Sequence, residues 1–599
     1  MLLYMRILTL LIAVATSSLL YAQAAADAPT LEGVWEGKRL FGPEIRGTLD
    51  LFQLDSGWRA QIAQFDVPVK AVRDQLSFEL PGGRGAFQGT LEKDQSSVRG
   101  HWIQPATVND GKRFASPIAL RATAKGRWRG EVVPLDNEFT LYLIVTRRPD
   151  GTLGTIVRNP DRNIGVNWRI DHLEREGNKL RLVRLDGSVV LRGHYYDDDH
   201  LSFEVEARGG TYDFSRVTDA SSNFYARPLK EQYRYKPPVA DDDGWPVDSL
   251  ESVGMTSGPI AGLVAYAEAP VTSLEDPDLH GVLVARHGKL VVEEYFHGFH
   301  RRKPHDTRSA SKSLTSTLLG AAMYAGAKVG PGTRVYDILR GLAPNEIDPR
   351  KKEMTVEHLF NMSSGYDCDD RAYPPRPGNE DLLLDNEDPT LDYYRYTLAL
   401  PMDSKPGEKV AYCSINPNLL GAVISAATHQ TLTELLESLI AQPLQIRRYH
   451  LFLQPTGEPY MGGGIKWLPR DFMKLGQVML NGGTWKGERI VSEEFARAVS
   501  VPHVGIKTRS NTYCASGSTP ENCLRRYGYL WWHIDFPYKA RSVHAYYAGG
   551  NGGQSVTVIP ELDMVVATYA GNYASGTGLQ IQEDLIPRFI LPAVMDDSR

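Results

Sequence analysis

Ser309-Ala310-Ser311-Lys312 opens the stretch that decides how this chain is read, and apolar Leu314, Leu318, Leu319 and Ala322 follow it at helical spacing as far as about Ala325. An unactivated serine hydroxyl is a poor nucleophile and needs a base within hydrogen-bond reach. On a helix, residues i and i+3 share a face with Cβ atoms ~5–6 Å apart, so Lys312 stands beside Ser309 without help from any other element. A buried lysine at the positive end of a helix gives up its charge more readily, so Lys312 is expected to accept the serine proton at neutral pH. The same helix start aims the Ser309 amide at a developing oxyanion. This is the one S-x-x-K in the chain, and it directly follows a strand pair.

That pair is Gly281–Arg286 and Leu290–Tyr295 around His287-Gly288, which read as a β-hairpin. Near the other end, Ser555–Ile559 and Met564–Tyr569 form a second hairpin across Pro560–Asp563, and an amphipathic helix is predicted over about Gly578–Val594. Strand pair, long helical middle, strand pair and closing helix describe an antiparallel sheet with helices on its faces.

Two further stretches bear on the chemistry. Tyr412-Cys413-Ser414 lies within Gly407–Gly421, and Ala548-Gly549-Gly550-Asn551 runs through a glycine-rich turn towards the strand that ends at Pro560. With Leu419-Leu420-Gly421, Met354–Gly365 and Gly528-Tyr529-Leu530-Trp531-Trp532 in the same order, the chain from about Asp243 to Pro592 resembles a known family. It comprises the class C serine β-lactamases, low-molecular-weight penicillin-binding proteins and related esterases.

The resemblance implies a β-lactamase/transpeptidase-like α/β domain in which Tyr412 shares proton handling with Lys312. It makes Ser414 a substrate contact where many members carry Asn. It sets Ala548-Gly549-Gly550 at the sheet edge, with the Asn551 amide as second oxyanion donor. Members that act on β-lactams or D-alanyl-D-alanine place a cation where Ala548 stands, to meet a substrate carboxylate, and a neutral Ala cannot do this. The run Ala548–Gln554, with Asp243–Pro246 and Glu293–Gly298, is similar instead to the branch of 6-aminohexanoate-oligomer hydrolases and carboxylesterases. Ester or amide substrates lacking an essential carboxylate are therefore expected. A D-alanyl-D-alanine peptidase or β-lactamase on the same fold is the first alternative, and a non-catalytic binding protein the second.

Upstream, from Leu31 to about Pro228, alternating runs such as Gly47–Phe52, Leu76–Leu80 and Leu201–Glu206 are separated by Gly, Asp and Asn. Gly33-Val34-Trp35-Glu36-Gly37 is echoed by Gly126-Arg127-Trp128-Arg129-Gly130, which suggests repeats at 31–125 and 126–228. The fold expected is thus multidomain: an all-β barrel or sandwich region, single or duplicated, over 25–228, a linker over 229–253 marked by Lys236–Pro246, and the α/β domain over 254–599. The β region offers no catalytic cluster. Its aromatics read as core, and it is the expected place for a polymer or protein partner.

Arg6 precedes the apolar run Ile7–Val14 and the small residues ending at Ala22-Gln23-Ala24, so a signal peptide over 1–24 and a periplasmic or extracellular destination are expected. The run is short of the ~20 residues a membrane span needs, and no Cys marks a lipoprotein anchor. In an oxidising compartment the four cysteines can pair in three ways, and Cys514–Cys523 with Cys368–Cys413 is the expected set. A formal charge of −6 over 599 residues, with no basic stripe, argues against nucleic acid as a partner. There is no G-x-S-x-G elbow, no H-E-x-x-H, no paired C-x-x-C and no phosphate loop. Acyl transfer from a small ester or amide, with no metal and no cofactor, is what remains.

Overall fold

The structure is a computed structural model that describes residues 31–41, 45–106, 112–136, 138–206, 209–228, 232–386, 388–507, 524–579 and 581–595. The expected signal peptide, Cys514 and Cys523 lie outside the described residues. The chain divides into two compact units, one of Met1–Arg39 with Phe139–Asp219 and one of Leu40–Glu138 with Ala220–Arg599.

The first unit is a closed eight-stranded barrel. Its strands are Gly33–Leu40, Glu138–Arg147, Leu153–Arg158, Ile170–Glu176, Lys179–Arg184, Val189–Tyr195, His200–Val205 and Gly210–Arg216. Period-2 patterning fills its interior: Leu180, Leu182, Leu201, Phe203 and Val205 are buried, as is Trp35, which is capped by the Arg216 guanidinium 4.2 Å from its ring. Here the structure departs from the expected repeats. The strand Gly33–Leu40 leaves the residues that follow it and pairs with Gly210–Arg216, Trp35 opposite Arg216. Closure satisfies two edges that would otherwise expose a row of unpaired backbone groups, and local sequence cannot announce that pairing.

In the second unit, eight strands from Gly47–Leu54 to Arg127–Val132 form their own β layer. Arg127–Val132 pairs with both Gly47–Leu54 and Arg113–Ala124, closing the set on itself around Leu49, Leu51, Phe87, Trp102 and Trp128. This layer is continuous with the α/β half. Arg113–Ala124 pairs antiparallel with Tyr449–Leu453, Ala115 opposite Leu451; Lys466–Trp467 and then His305–Asp306 extend the same sheet. The compact units therefore cut across the expected 25–228 and 254–599 boundaries, because a shared backbone ladder joins residues far apart in sequence.

The α/β half is built on an eight-stranded antiparallel sheet. Its order is Lys289–Tyr295, Leu279–Arg286, Met564–Ala570, Gln554–Ile559, Arg541–Gly550, Trp531–Tyr538, Leu524–Gly528 and Val504–Lys507. Both hairpins read from the sequence are present within it. The helix Pro469–Leu480 lies against the sheet so closely that a Cβ on Gly476 would fall 2.6 Å from a Val556 methyl. The closing helix is broken into an α turn Ile581–Leu585, a π turn Ile586–Ile590 and a 3-10 turn Leu591–Ala593. Pro587 and Pro592 each remove a backbone donor, which accounts for the change of winding from the regular helix predicted. Among the described residues no helix is long and apolar enough to cross a membrane.

Candidate active site

Ser309 sits in a 3-10 turn, Arg308–Ser311, that runs into the helix Lys312–Tyr324. The turn is held from both sides. Arg308 has φ of 48°, an unusual left-handed conformation for a non-glycine residue, and its amide donates to Asp306 Oδ1 at 2.9 Å. Thr307 donates from both N and Oγ1 to the Ile465 carbonyl. Further along, Ser313 Oγ donates to the Leu530 carbonyl and Thr315 Oγ1 to that of Met461, each at 2.8 Å. Strain at Arg308 is tolerated because the flanking contacts over-determine the turn, and the result is a fixed serine.

Lys312 Nζ donates to Ser309 Oγ at 2.8 Å. Its side chain is buried within the fold. Burial is the largest single influence on its pKa and lowers it, but Tyr412, Glu380 and Asp370 together outweigh burial and hold it above the ordinary lysine value. This corrects the expectation drawn from the sequence. Tyr412 is the largest of these raising influences, and Glu380 and Asp370 are two carboxylates that no local motif announces.

Tyr412 is half-buried and completes the group. Its ring centroid lies 5.0 Å from Lys312 Nζ, and it stacks on Trp532 at 5.5 Å with planes 22° apart. Tyr527 meets it edge-on, and the Arg371 guanidinium lies 4.9 Å from its ring centroid. Cationic groups at such distances favour electron-rich rings and phenolates alike.

The strand Arg541–Gly550 brings in the sheet edge. A Cβ on Gly550 would sit 2.4 Å from the Thr307 carbonyl oxygen and 3.0 Å from the Ala310 nitrogen, so only glycine fits. Backbone contact on this scale sets Asn551, the next residue, beside the nucleophile turn, which makes its amide and that of Ser309 the candidate oxyanion donors. The exposed Asn551 side chain accepts the Ala574 amide at 2.9 Å, and so orders the turn.

Two sequence-read site residues are fully buried. Ala548 is fully buried, so its side chain presents nothing to a substrate. Ser414 is also fully buried at the start of the helix Ile415–Thr428, and its amide donates to Asp370 Oδ2 at 2.7 Å. Its influence on the site runs through the backbone rather than through a hydroxyl offered to substrate.

Asp370, Arg371, Glu380 and Tyr460 are members of the site that motif reading passed over. Tyr460 OH donates to Glu380 Oε1 at 2.6 Å. Cys368 and Cys413 form a disulfide with Cα atoms 5.8 Å apart. That bridge was the available signal: pairing Cys413, next to Tyr412, with Cys368 carries Asp370 and Arg371 to the tyrosine. Among the described residues no cluster of three or more His, Cys, Asp or Glu side chains could hold a metal ion.

The Beta-lactamase family model matches residues 247–572, more than half of the chain. The chain belongs to the beta-lactamase family. Within that family it is 26% identical over 230 residues to a 6-aminohexanoate-dimer hydrolase of Paenarthrobacter ureafaciens, covering 38% of this chain and 58% of that protein. It is 25% identical over 142 residues to a putative D-alanyl-D-alanine carboxypeptidase of Escherichia coli (strain K12), covering 23% and 32%. The match thus spans less than two-thirds of either relative's length. A solved structure of a putative 6-aminohexanoate-dimer hydrolase from Bacillus anthracis aligns with a TM-score of 0.43 at 18% identity, covering 60% of this chain and 87% of that one.

Proposed function

We propose that this beta-lactamase-family protein is an exported serine hydrolase that cleaves ester or amide bonds through a Ser309 acyl-enzyme. The observation that carries the reading is the 2.8 Å hydrogen bond from Lys312 Nζ to Ser309 Oγ, with Tyr412 beside the lysine. Tyr412 and Lys312 together take up and return the serine proton, Lys312 Nζ being bonded to the serine hydroxyl and close to the phenol ring. Ser309 Oγ attacks the carbonyl carbon as its proton passes to this pair, and the Ser309 and Asn551 amides receive the oxyanion. Collapse breaks the bond to the leaving alcohol or amine, which takes its proton from the pair. Water then adds to the acyl-enzyme by the same path, giving up one proton to the pair, and Ser309 recovers one as the acid departs.

The absence of a cationic side chain at position 548 supports substrates that need no carboxylate at that point. The relationship to a 6-aminohexanoate-dimer hydrolase supports an amide or ester of a short linear acid. The Cys368–Cys413 bridge fits an oxidising compartment, and with it the export expected of the amino-terminal segment. The test pairs the wild type with Ser309→Ala on p-nitrophenyl acetate, p-nitrophenyl butyrate and a chromogenic cephalosporin. Ester turnover that falls by several orders of magnitude in the variant, without cephalosporin hydrolysis, is the expected result. Retention of turnover in Ser309→Ala would refute the assignment, and fast cephalosporin turnover would move the protein to the β-lactamase reading.

A further inference from the structure

Asp370 lies outside the motifs read from the sequence, yet it touches the Tyr412 segment on both sides. Its amide donates to the Tyr412 carbonyl at 2.9 Å, and its Oδ2 accepts the Ser414 amide at 2.7 Å. Its Oδ1 accepts the Glu380 amide at 2.9 Å. Tyr412-Cys413-Ser414 is therefore gripped from residue 370 at one end by a carbonyl and at the other by an N–H. The Cys368–Cys413 disulfide stands between those contacts. The carboxylate also attracts the charge on Lys312. Backbone groups held by a charged acceptor are fixed more strongly than by a neutral one, since charge-assisted hydrogen bonds are about twice as strong.

We propose that Asp370 is a positioning residue, whose ionised carboxylate holds Tyr412 against Lys312 and keeps the lysine charged for proton transfer to and from Ser309. The proposal rests on the serine-hydrolase reading above and extends it to a residue that touches no substrate. The charged and titratable groups that face Asp370 are Glu380 and Lys312, with Tyr460 behind Glu380 and Tyr412 across the backbone bond. Arg371, the next residue, lies over the rings of Tyr412 and Trp532.

Burial, then the nearby Glu380 charge, push the Asp370 carboxyl up to about 6, against the opposing pull of Lys312 and the Ser414 amide. The sign for stability follows. A carboxyl raised on folding stabilises the fold fully below its unfolded pKa, and that contribution is lost as pH rises through about 6. At neutral pH the ionised Asp370 is thus carried at a cost to the fold. A side chain kept only for structure would be better neutral.

The experiment measures kcat and KM for p-nitrophenyl butyrate from pH 4.5 to 9 on the full chain, wild type against Asp370→Asn, with melting temperatures at pH 8. Wild type is expected to show an acid limb near pH 6 in kcat. In Asp370→Asn that limb disappears and kcat at pH 8 falls about 10–100-fold, the loss of one charge-assisted bond. KM changes little, and the melting temperature is kept or raised. Glu380→Gln provides an independent reading: with one negative charge removed, the acid limb moves to lower pH. An unchanged acid limb in Asp370→Asn, or unchanged kcat, overturns the proposal. If Asp370→Asn does not fold, an acid limb that stays put in Glu380→Gln overturns it. A wild type without Ser309-dependent turnover refutes instead the hydrolase reading on which the proposal stands.

Discussion

Gly550→Ala tests the geometry of the oxyanion site most directly. The added methyl would lie 2.4 Å from the Thr307 carbonyl oxygen and 3.0 Å from the Ala310 nitrogen, and both partners are backbone atoms of the nucleophile turn. Neither can rotate away. The turn is pinned by Thr307 to Ile465 and by Arg308 to Asp306, and Gly550 is paired with Gln554 in its own hairpin. Reaching an ordinary contact distance requires the strand end and the turn to separate by about 0.6–1.0 Å, on the scale of displacement that costs ~10²-fold when reacting groups are misplaced. If Asn551 moves out of reach as a donor, removal of one oxyanion hydrogen bond sets a similar scale, about 10²–10³-fold in kcat. The forced overpacking destabilises the fold by about 1–3 kcal/mol. The assay is kcat and KM on p-nitrophenyl butyrate, with a thermal melt to confirm that the variant is folded. Gly258→Ala serves as control, because a Cβ there meets nothing within 4 Å. A folded Gly550→Ala enzyme with kcat within about threefold of wild type would refute the assignment of this edge to the oxyanion, since the contact leaves it no room to be silent.

Other expectations extend through the molecule. Cys413→Ser, or a reductant, opens a loop of 45 residues and should destabilise the chain by about 4 kcal/mol, seen as a lower melting temperature, with ester turnover falling as Tyr412 loses its anchor. An equal melt with and without reductant would contradict this. His101, buried where the β layer meets the α/β half and bonded to Tyr449 OH at 2.9 Å, is lowered by burial to about 4. A depressed histidine supports the fold fully above its unfolded pKa near 6.5, and that support is lost as pH falls through about 4, up to about 3 kcal/mol in all. Melts from pH 7 to 4 should therefore be shallower in His101→Gln than in wild type, and parallel curves would count against the seam as an acid-sensitive joint.

Local chemistry was legible in the residues themselves. Ser309 and Lys312 meet because i and i+3 share a helix face, and that holds in any tertiary setting. The hairpins Leu279–Arg286 with Lys289–Tyr295 and Gln554–Ile559 with Met564–Ala570 follow from alternation across short turns. Gly550 was legible as a glycine at a close approach, though not what it approaches. Tyr412 came from its flanking pattern rather than from physics alone.

The remainder depends on distance through space. Gly33–Leu40 looks locally like the opening of one repeat, but it completes a barrel by pairing with the distant Gly210–Arg216, because an open edge needs a partner and sequence spacing does not limit which. Tyr449–Leu453 is a short, mostly apolar strand with no sign that its neighbour will be Arg113–Ala124. The direction of the Lys312 pKa shift was hidden for the same reason. Burial near a helix start argues for a neutral amine, and only the folded chain brings Asp370, Glu380 and Tyr412 near enough to reverse it. Sequence alone determined which groups can do chemistry, since nucleophile and lysine are three residues apart on a continuous helical turn. Tertiary structure decided their protonation, because Coulomb energies depend on which distant charges the fold assembles around them.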